Sequence, residues 1–133
     1  MRRVRVKYVT VEQAIFYQQK IIKETGGSLG LRDLGLLDSA ISRPRASFSG
    51  KDLYPKVLDK AAALFHSMIL NHPFLDGNKR TALAVLHEFL KQNGYKLAAT
   101  QQELIELPLL IERKEMNLNQ ITKWLKEHTK RLK

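Results

Sequence analysis

Residues 56–94, KVLDKAAALFHSMILNHPFLDGNKRTALAVLHEFLKQNG, decide the fold class. Val57, Leu58, Ala61, Ala62, Leu64, Phe65, Met68 and Ile69 cover more than one stripe of a helix over residues 56–71. A helix apolar on most sides is a central one. A second run, Ala82, Leu83, Val85, Leu86, Phe89 and Leu90, makes another central helix from about Asn78 to the Asn93-Gly94 stop. Between the two, Pro73 biases His72 away from helical angles and ends the first helix. Asp76-Gly77 then turns the chain, and Asn78 begins the second helix. A tight loop between two buried helices marks the class as all-α.

Working outward, Val4 to Val9 alternates enough for a short strand, and Thr10-x-x-Gln13 is a capping-box pattern. Helix one should run to Thr25 and stop at Gly26-Gly27, with Val11, Ile15, Ile21 and Ile22 sharing a face. Asp33 should cap a second helix through about Ser42, with Leu34, Leu37 and Ile41 inward. Residues 43–55 hold two prolines and a glycine and read as a long loop or flap, equally a functional loop or a plain connector. Thr100-x-x-Glu103 opens a fifth helix that Pro108 should kink or split. Asn117-x-x-Gln120 opens a sixth, carrying Leu118, Ile121, Trp124 and Leu125. The expectation is one domain over residues 1–133, a bundle of about six helices with room for a short N-terminal strand or a flap hairpin.

Composition narrows the function classes. The chain has 133 residues and no cysteine, so disulfides, thiolate catalysis and the common structural zinc sites are excluded. It has no apolar run long enough to cross a bilayer, and no apolar segment follows Arg2, Arg3, Arg5 and Lys7 as a signal peptide requires. A cytoplasmic location without membrane contact is expected. With 23 basic against 13 acidic residues the net charge is +10, which favours phosphate-bearing or acidic partners. Much of the surplus lies at the two ends and reads as solvated charge. No aromatic residues are interleaved with it as on a single-strand platform, so direct DNA binding is not expected.

The loop His72-Pro-Phe-Leu-Asp-Gly-Asn-Lys-Arg80 carries the chemistry. A helix N-terminus offers unpaired N–H groups and partial positive charge, which together bind phosphate. Lys79 and Arg80 add full charges there, the wrong sign for the helix dipole unless an anionic ligand offsets it. His72 is suited to general-base work near neutral pH. Asp76 is suited to a magnesium ion that bridges phosphate oxygens. Asn78 can donate amide hydrogens to a phosphate, and Gly77 leaves room for a ligand against the backbone. Phe74 and Leu75 read as anchors onto the core. From these residues alone, a phosphate site and a simple helix–turn–helix connector are equally good readings.

The same nine residues resemble the signature of the Fic/Doc superfamily. Lysine between Asn78 and Arg80 is similar to the death-on-curing (Doc) toxin branch. Gly27-Ser-Leu-Gly-Leu-Arg-Asp-Leu-Gly-Leu-Leu37, Leu53-Tyr-Pro55 and Asn93-Gly-Tyr95 look like that family's surroundings, so the resemblance covers most of the chain. It implies a toxin of a bacterial toxin–antitoxin pair that transfers the γ-phosphate of ATP to a threonine of elongation factor Tu and arrests translation. Carried over, His72 would be the base and Asp76 would hold Mg2+. Asn78, Lys79 and Arg80, with Gly77 beside them, would grip the nucleotide phosphates, and residues 43–55 would be a flap that docks the target. The nearest rival is the Fic-type AMP transferase, which has glycine at the place of Lys79; a non-catalytic nucleic-acid or protein-binding module is the other. The self-inhibitory pattern Ser/Thr-x-x-x-Glu-Gly/Asn of many Fic proteins is absent from the sequence. Inhibition is therefore expected in trans, from an antitoxin segment lying in a groove near the site. His66 reads as a hydrogen-bonded core histidine and His87 as part of a solvated face.

Overall fold

The computed structural model describes residues 5–132. Among them the α-helices are α1 (Val11–Thr25), α2 (Leu34–Ser42), α3 (Val57–Asn71), α4 (Asn78–Gln92), α5 (Gln101–Glu112) and α6 (Leu118–Glu127). Two small antiparallel pairs complete the fold: β1 (Ser47–Phe48) with β2 (Lys51–Asp52), and β3 (Tyr95–Leu97) with β4 (Thr129–Arg131). The helix starts follow from their caps. Thr10, Thr100 and Asn117 each accept from the backbone three residues on, while Gln13, Glu103 and Gln120 reach back to the cap. Each box satisfies two N–H groups that would otherwise stay open.

The centre is α3. Ala61, Ala62, Ala63, Leu64, Phe65, Met68 and Ile69 are all buried, and the helix packs against α2, α4, α5 and α6. Fully burying a Leu or Phe side chain contributes roughly 1.5–3 kcal/mol, so this helix holds the others together. Helix α4 packs beside it through Ala82, Val85, Leu86, Phe89 and Leu90, and α1 lies on α4. The α3–α4 loop therefore sits on the two most deeply buried helices.

Three local expectations change, and one element is new. Residues 5–10 form no strand, and Val4 lies outside the described residues. The reason is visible at Lys7, whose N–H donates to Asn93 Oδ1 (2.9 Å) and whose carbonyl accepts from Asn93 Nδ2 (2.8 Å). A side-chain amide takes the place of a neighbouring strand. Leu34 is 55% exposed rather than inward, because it is the first residue of α2 and precedes the buried stripe of Leu37, Ala40 and Ile41. Pro108 does not split α5: the helix runs unbroken to Glu112, with the proline buried. The β3–β4 pair was not foreseen as such. It joins Tyr95 to Arg131 and Leu97 to Thr129, and β3 lies against α4.

Residues 43–55 fold as a short 3-10 turn (Arg43–Arg45) and a hairpin whose tip is Ser49-Gly50. Both tip residues have positive φ, 52° and 77°, as tight two-residue hairpin turns require. The hairpin is tethered from below. Arg43 donates to Tyr54 Oη, to Ser67 Oγ (2.8 Å) and toward His66 Nδ1 (2.9 Å). Lys60 of α3, only 2% exposed, donates to the Pro44 carbonyl (3.2 Å) and lies 3.4 Å from Asp52. Two buried or half-buried cations thus hold the flap's base while Phe48 stays 74% exposed at its tip. His66 is hydrogen-bonded as expected but half-buried; burial, then the Arg43 charge, pushes its pKa down.

The C-terminal end carries a pH-sensitive pin. His128 stacks on Trp124, and its two ring nitrogens face the Trp124 carbonyl (2.7 Å) and the Glu103 carboxylate (2.7 Å). Burial pushes its pKa down, but the Trp124 carbonyl and Glu103 carboxylate outweigh that and raise it. A group with a raised folded pKa contributes stability that is complete below its unfolded value, about 6.5, and is lost as pH rises through the folded value. Thermal melts of wild type should therefore lose stability as pH rises through that window. His128→Gln should be flatter across the same range, and equal slopes would remove the role assigned to this pin.

Candidate active site

The backbone at the end of α3 is bent into an unusual shape. His72 caps the helix with φ 45° and ψ 58°, the left-handed region that a residue with a Cβ rarely adopts. Residues 30–33 hold it there. Arg32 Nε donates to the His72 carbonyl (2.7 Å) and Nη2 to the Asn71 carbonyl (2.6 Å). The backbone N–H groups of Arg32 and Asp33 donate to the Pro73 carbonyl, and Leu75 N–H to the Gly30 carbonyl. One guanidinium fork thus satisfies carbonyls that the helix end leaves open. Arg32→Ala should cost about 1–3 kcal/mol by removing two charge-assisted hydrogen bonds to them. Denaturant unfolding measures that loss, and a change under a few tenths of a kcal/mol would deny Arg32 this role.

Asp76 is aimed by the loop after α1. Its Oδ2 accepts from Ser28 N–H (3.2 Å) and its Oδ1 from Gly77 N–H (2.9 Å). The fully buried Gln18 fixes both sides of this contact. Its amide nitrogen donates to the Ser28 and Asp76 carbonyls, and its oxygen accepts from Gly30 N–H. Asn78 closes the turn: its oxygen accepts from Phe74 N–H and its nitrogen donates to the Phe74 carbonyl, both at 2.9 Å. That leaves one amide hydrogen of Asn78 for a ligand. Gly77 caps α4 with φ 72° and no side chain over the helix end, so the first-turn N–H groups of α4 have no side-chain cap. Phe74 anchors the loop in the core, whereas Leu75 is 56% exposed and lines the cavity instead.

These residues share one cavity of about 410 Å3. His72, Asp76, Gly77, Asn78, Lys79 and Arg80 all line it. A second, apolar cavity of about 480 Å3 adjoins it, with Lys79 and Arg80 common to both and Leu83, Leu104, Ile105 and Pro108 as its walls. Asp76 keeps acceptor capacity on both oxygens beyond the bonds it makes. Among the described residues no three His, Asp or Glu groups come together as a metal cage. A single carboxylate beside Lys79 and Arg80 could hold magnesium, which commonly takes one or two carboxylates plus substrate phosphates.

All six residues singled out by sequence are thus brought together. Three neighbours of the candidate site were missed. Gln18 shares the buried face of Ala14 and Ile22 at helical spacing, and a polar residue there was a readable signal. Arg32 gave no local sign of its partners. Glu112, the last residue of α5, places Oε2 3.0 Å from His72 Nε2 and 3.1 Å from Lys79 Nζ. The bonds from His72 and then Lys79 hold its carboxyl below the usual range.

A model of the Fic/DOC family matches residues 8–90, more than half of the chain and all of the loop just described. The chain belongs to the Fic/DOC family. It is also 55% identical over 74 residues to Toxin Doc of Mycolicibacterium smegmatis (strain ATCC 700084 / mc(2)155). That alignment spans 56% of this chain and 57% of the relative, so the chain spans little more than half the length of the curated protein it matches. The helical bundle, with only short two-stranded pairs, agrees with the Fic/Doc fold. No helix among the described residues is long and apolar enough to cross a membrane.

Proposed function

We propose that this Fic/Doc protein is the toxin of a bacterial toxin–antitoxin pair and a protein kinase that transfers the γ-phosphate of ATP to a threonine of a translation factor resembling elongation factor Tu. The observation that carries the reading is the convergence of His72, Asp76, Lys79 and Arg80 on one cavity at a helix N-terminus without a side-chain cap. Phosphoryl transfer needs positioning and charge stabilisation more than covalent chemistry, and this group supplies both. The α4 N–H groups, Lys79 and Arg80 take the phosphate charge, and Asp76 would hold a Mg2+ ion, which would neutralise further phosphate charge. The threonine oxygen forms the new bond to the γ-phosphorus, the bond from that phosphorus to the β–γ bridging oxygen breaks, and ADP leaves. The hydroxyl proton passes to His72. The apolar cavity beyond Lys79 and Arg80 suits a nucleoside base.

Two further points support the reading. The similar protein from Mycolicibacterium smegmatis is named a toxin. Lys79 fills the place where an AMP transferase of this superfamily has glycine, and its cation changes which phosphate lies in line with the nucleophile. The antitoxin acts in trans, and the basic surface of the chain, +10 overall, suits an acidic segment. The test is incubation with magnesium, elongation factor Tu and ATP labelled at the γ- or the α-phosphate. Label from the γ position alone supports the kinase. Label from the α position makes the protein an AMP transferase. With active reference enzymes in parallel, no label from either points to another target or a binding role.

A further inference from the structure

Arg43 is the first residue of the hairpin segment 43–55, and it ties both ends of that segment to α3. Its Nε donates to Tyr54 Oη (3.0 Å) at the far end, and its guanidinium carbon lies 5.5 Å from the centre of the Tyr54 ring. Its Nη1 reaches α3 at two atoms, Ser67 Oγ (2.8 Å) and His66 Nδ1 (2.9 Å). A guanidinium has no lone pair to offer, so Nδ1 accepts and the ring hydrogen sits on Nε2. The contact therefore requires a neutral His66. A proton taken up at Nδ1 would remove the acceptor and set a second positive charge against Arg43. Nothing nearby softens that change. The other partners of Arg43 are hydroxyls, and among the described residues no carboxylate pairs with it. Helices α2, α4, α5 and α6 also pack on α3, yet Arg43 is the only charged group among the described residues whose field shifts His66.

We infer that Arg43 and His66 form a proton-sensitive anchor for the hairpin: neutral His66 holds the flap against α3, and a proton on Nδ1 loosens both its ends and weakens docking of the protein substrate. The docking part rests on the proposed function, with the hairpin as the flap that receives the target; the anchor itself does not. Lys60 still holds the Pro44 carbonyl and Asp52 from below, so the flap loosens without detaching. The direction with pH follows from the contact. Burial, then the Arg43 charge, disfavours the protonated ring and pushes its pKa down. The stabilisation of the closed flap is therefore complete above the ordinary value of 6.5 and is lost as pH falls below it. His66 and Arg43 are positioning residues: they act on the target only through the hairpin.

The test compares wild type with His66→Asn, whose side-chain oxygen can accept from Arg43 near the place of Nδ1 and does not titrate. Leu53 N–H donates to the Ala46 carbonyl across the hairpin (2.9 Å), and its exchange protection reports the closed flap. Between about pH 7.5 and about pH 5.5, wild type should lose about 3–10-fold in protection, since one unit of pKa difference is tenfold in equilibrium. His66→Asn should stay within about twofold over the same range. Equal losses in the two proteins, or none in wild type, would overturn the anchor. Nitrogen NMR of wild type alone gives a second check: a hydrogen on His66 Nδ1 at neutral pH would overturn it as well. Transfer kinetics then decide the docking part. On acidification KM for the protein target should rise in wild type and not in His66→Asn, whereas any acid loss at His72 is common to both. Equal KM values alongside the expected exchange would overturn the docking part and leave the anchor. No transfer by either protein would overturn the kinase reading and the docking part with it, while exchange still decides the anchor.

Discussion

His72→Asn should abolish most γ-phosphate transfer, by about 10^2–10^4-fold, the range a positioned general acid or base contributes. Asparagine is the right replacement because position 72 sits at φ 45°, and asparagine visits the left-handed region more readily than alanine. His72→Ala would combine loss of the base with a change to a residue less at home in the left-handed region, leaving its effect ambiguous. With the backbone kept, Arg32 still caps the Asn71 and His72 carbonyls, and Pro73 and Phe74 stay buried. The melting temperature should then shift by only a few degrees while transfer collapses. The measurement is a labelled-ATP rate beside a thermal melt. Transfer within about threefold of wild type would remove His72 from the chemistry and with it the general-base step.

A second loss is expected at a residue that lines neither cavity. A Cβ added at Gly27 would stand 2.6 Å from Asp76 Oδ2, 3.1 Å from Asp76 Cγ and 3.2 Å from Ile22 Cδ1, on a backbone with φ 113°. Asp76 cannot simply move aside, because Ser28 and Gly77 N–H groups hold its two oxygens and Gln18 holds its carbonyl. Gly27→Ala should therefore cost about 1–3 kcal/mol through the strained backbone alone. It should also turn the carboxylate away from the cavity. The functional signature is specific: transfer falls at least about tenfold, part of which extra Mg2+ restores, as for a site whose metal ligand has shifted. Denaturant unfolding and a magnesium titration of the rate separate the two effects. Normal stability with an unchanged magnesium requirement would show that the loop relaxes freely, and Asp76 would then lose its claim to the metal.

Much of the fold was legible because its signals are local. A threonine or asparagine three residues ahead of a glutamine or glutamate starts α1, α5 and α6 within the same turn. The all-round apolar pattern of residues 57–69 needs a central place in almost any packing. What escaped depends on partners far along the chain. The three-residue strand at Tyr95–Leu97 exists because Thr129–Arg131 lies beside it. The strand expected before Thr10 is replaced by an amide 86 positions away, Asn93 against Lys7. Ser49-Gly50 was a readable hairpin turn, but strands of two residues carry no periodicity to announce themselves.

The candidate site divides along the same line. By itself the sequence determined the identity and order of the candidate site groups: His72, Asp76, Gly77, Asn78, Lys79 and Arg80 lie within one loop and one helix turn, so chain connectivity alone makes them neighbours. Only the tertiary structure decided how they are held and what restrains them. Arg32 clamps the His72 carbonyl across 40 positions, Gln18 reaches Asp76 across 58, and Glu112 meets His72 across 40 from the far end of α5. Hydrogen bonds act only at close range, and no spacing rule ties one helix end to another. Such contacts come into being when the buried faces of α1, α3, α4 and α5 settle into a common core.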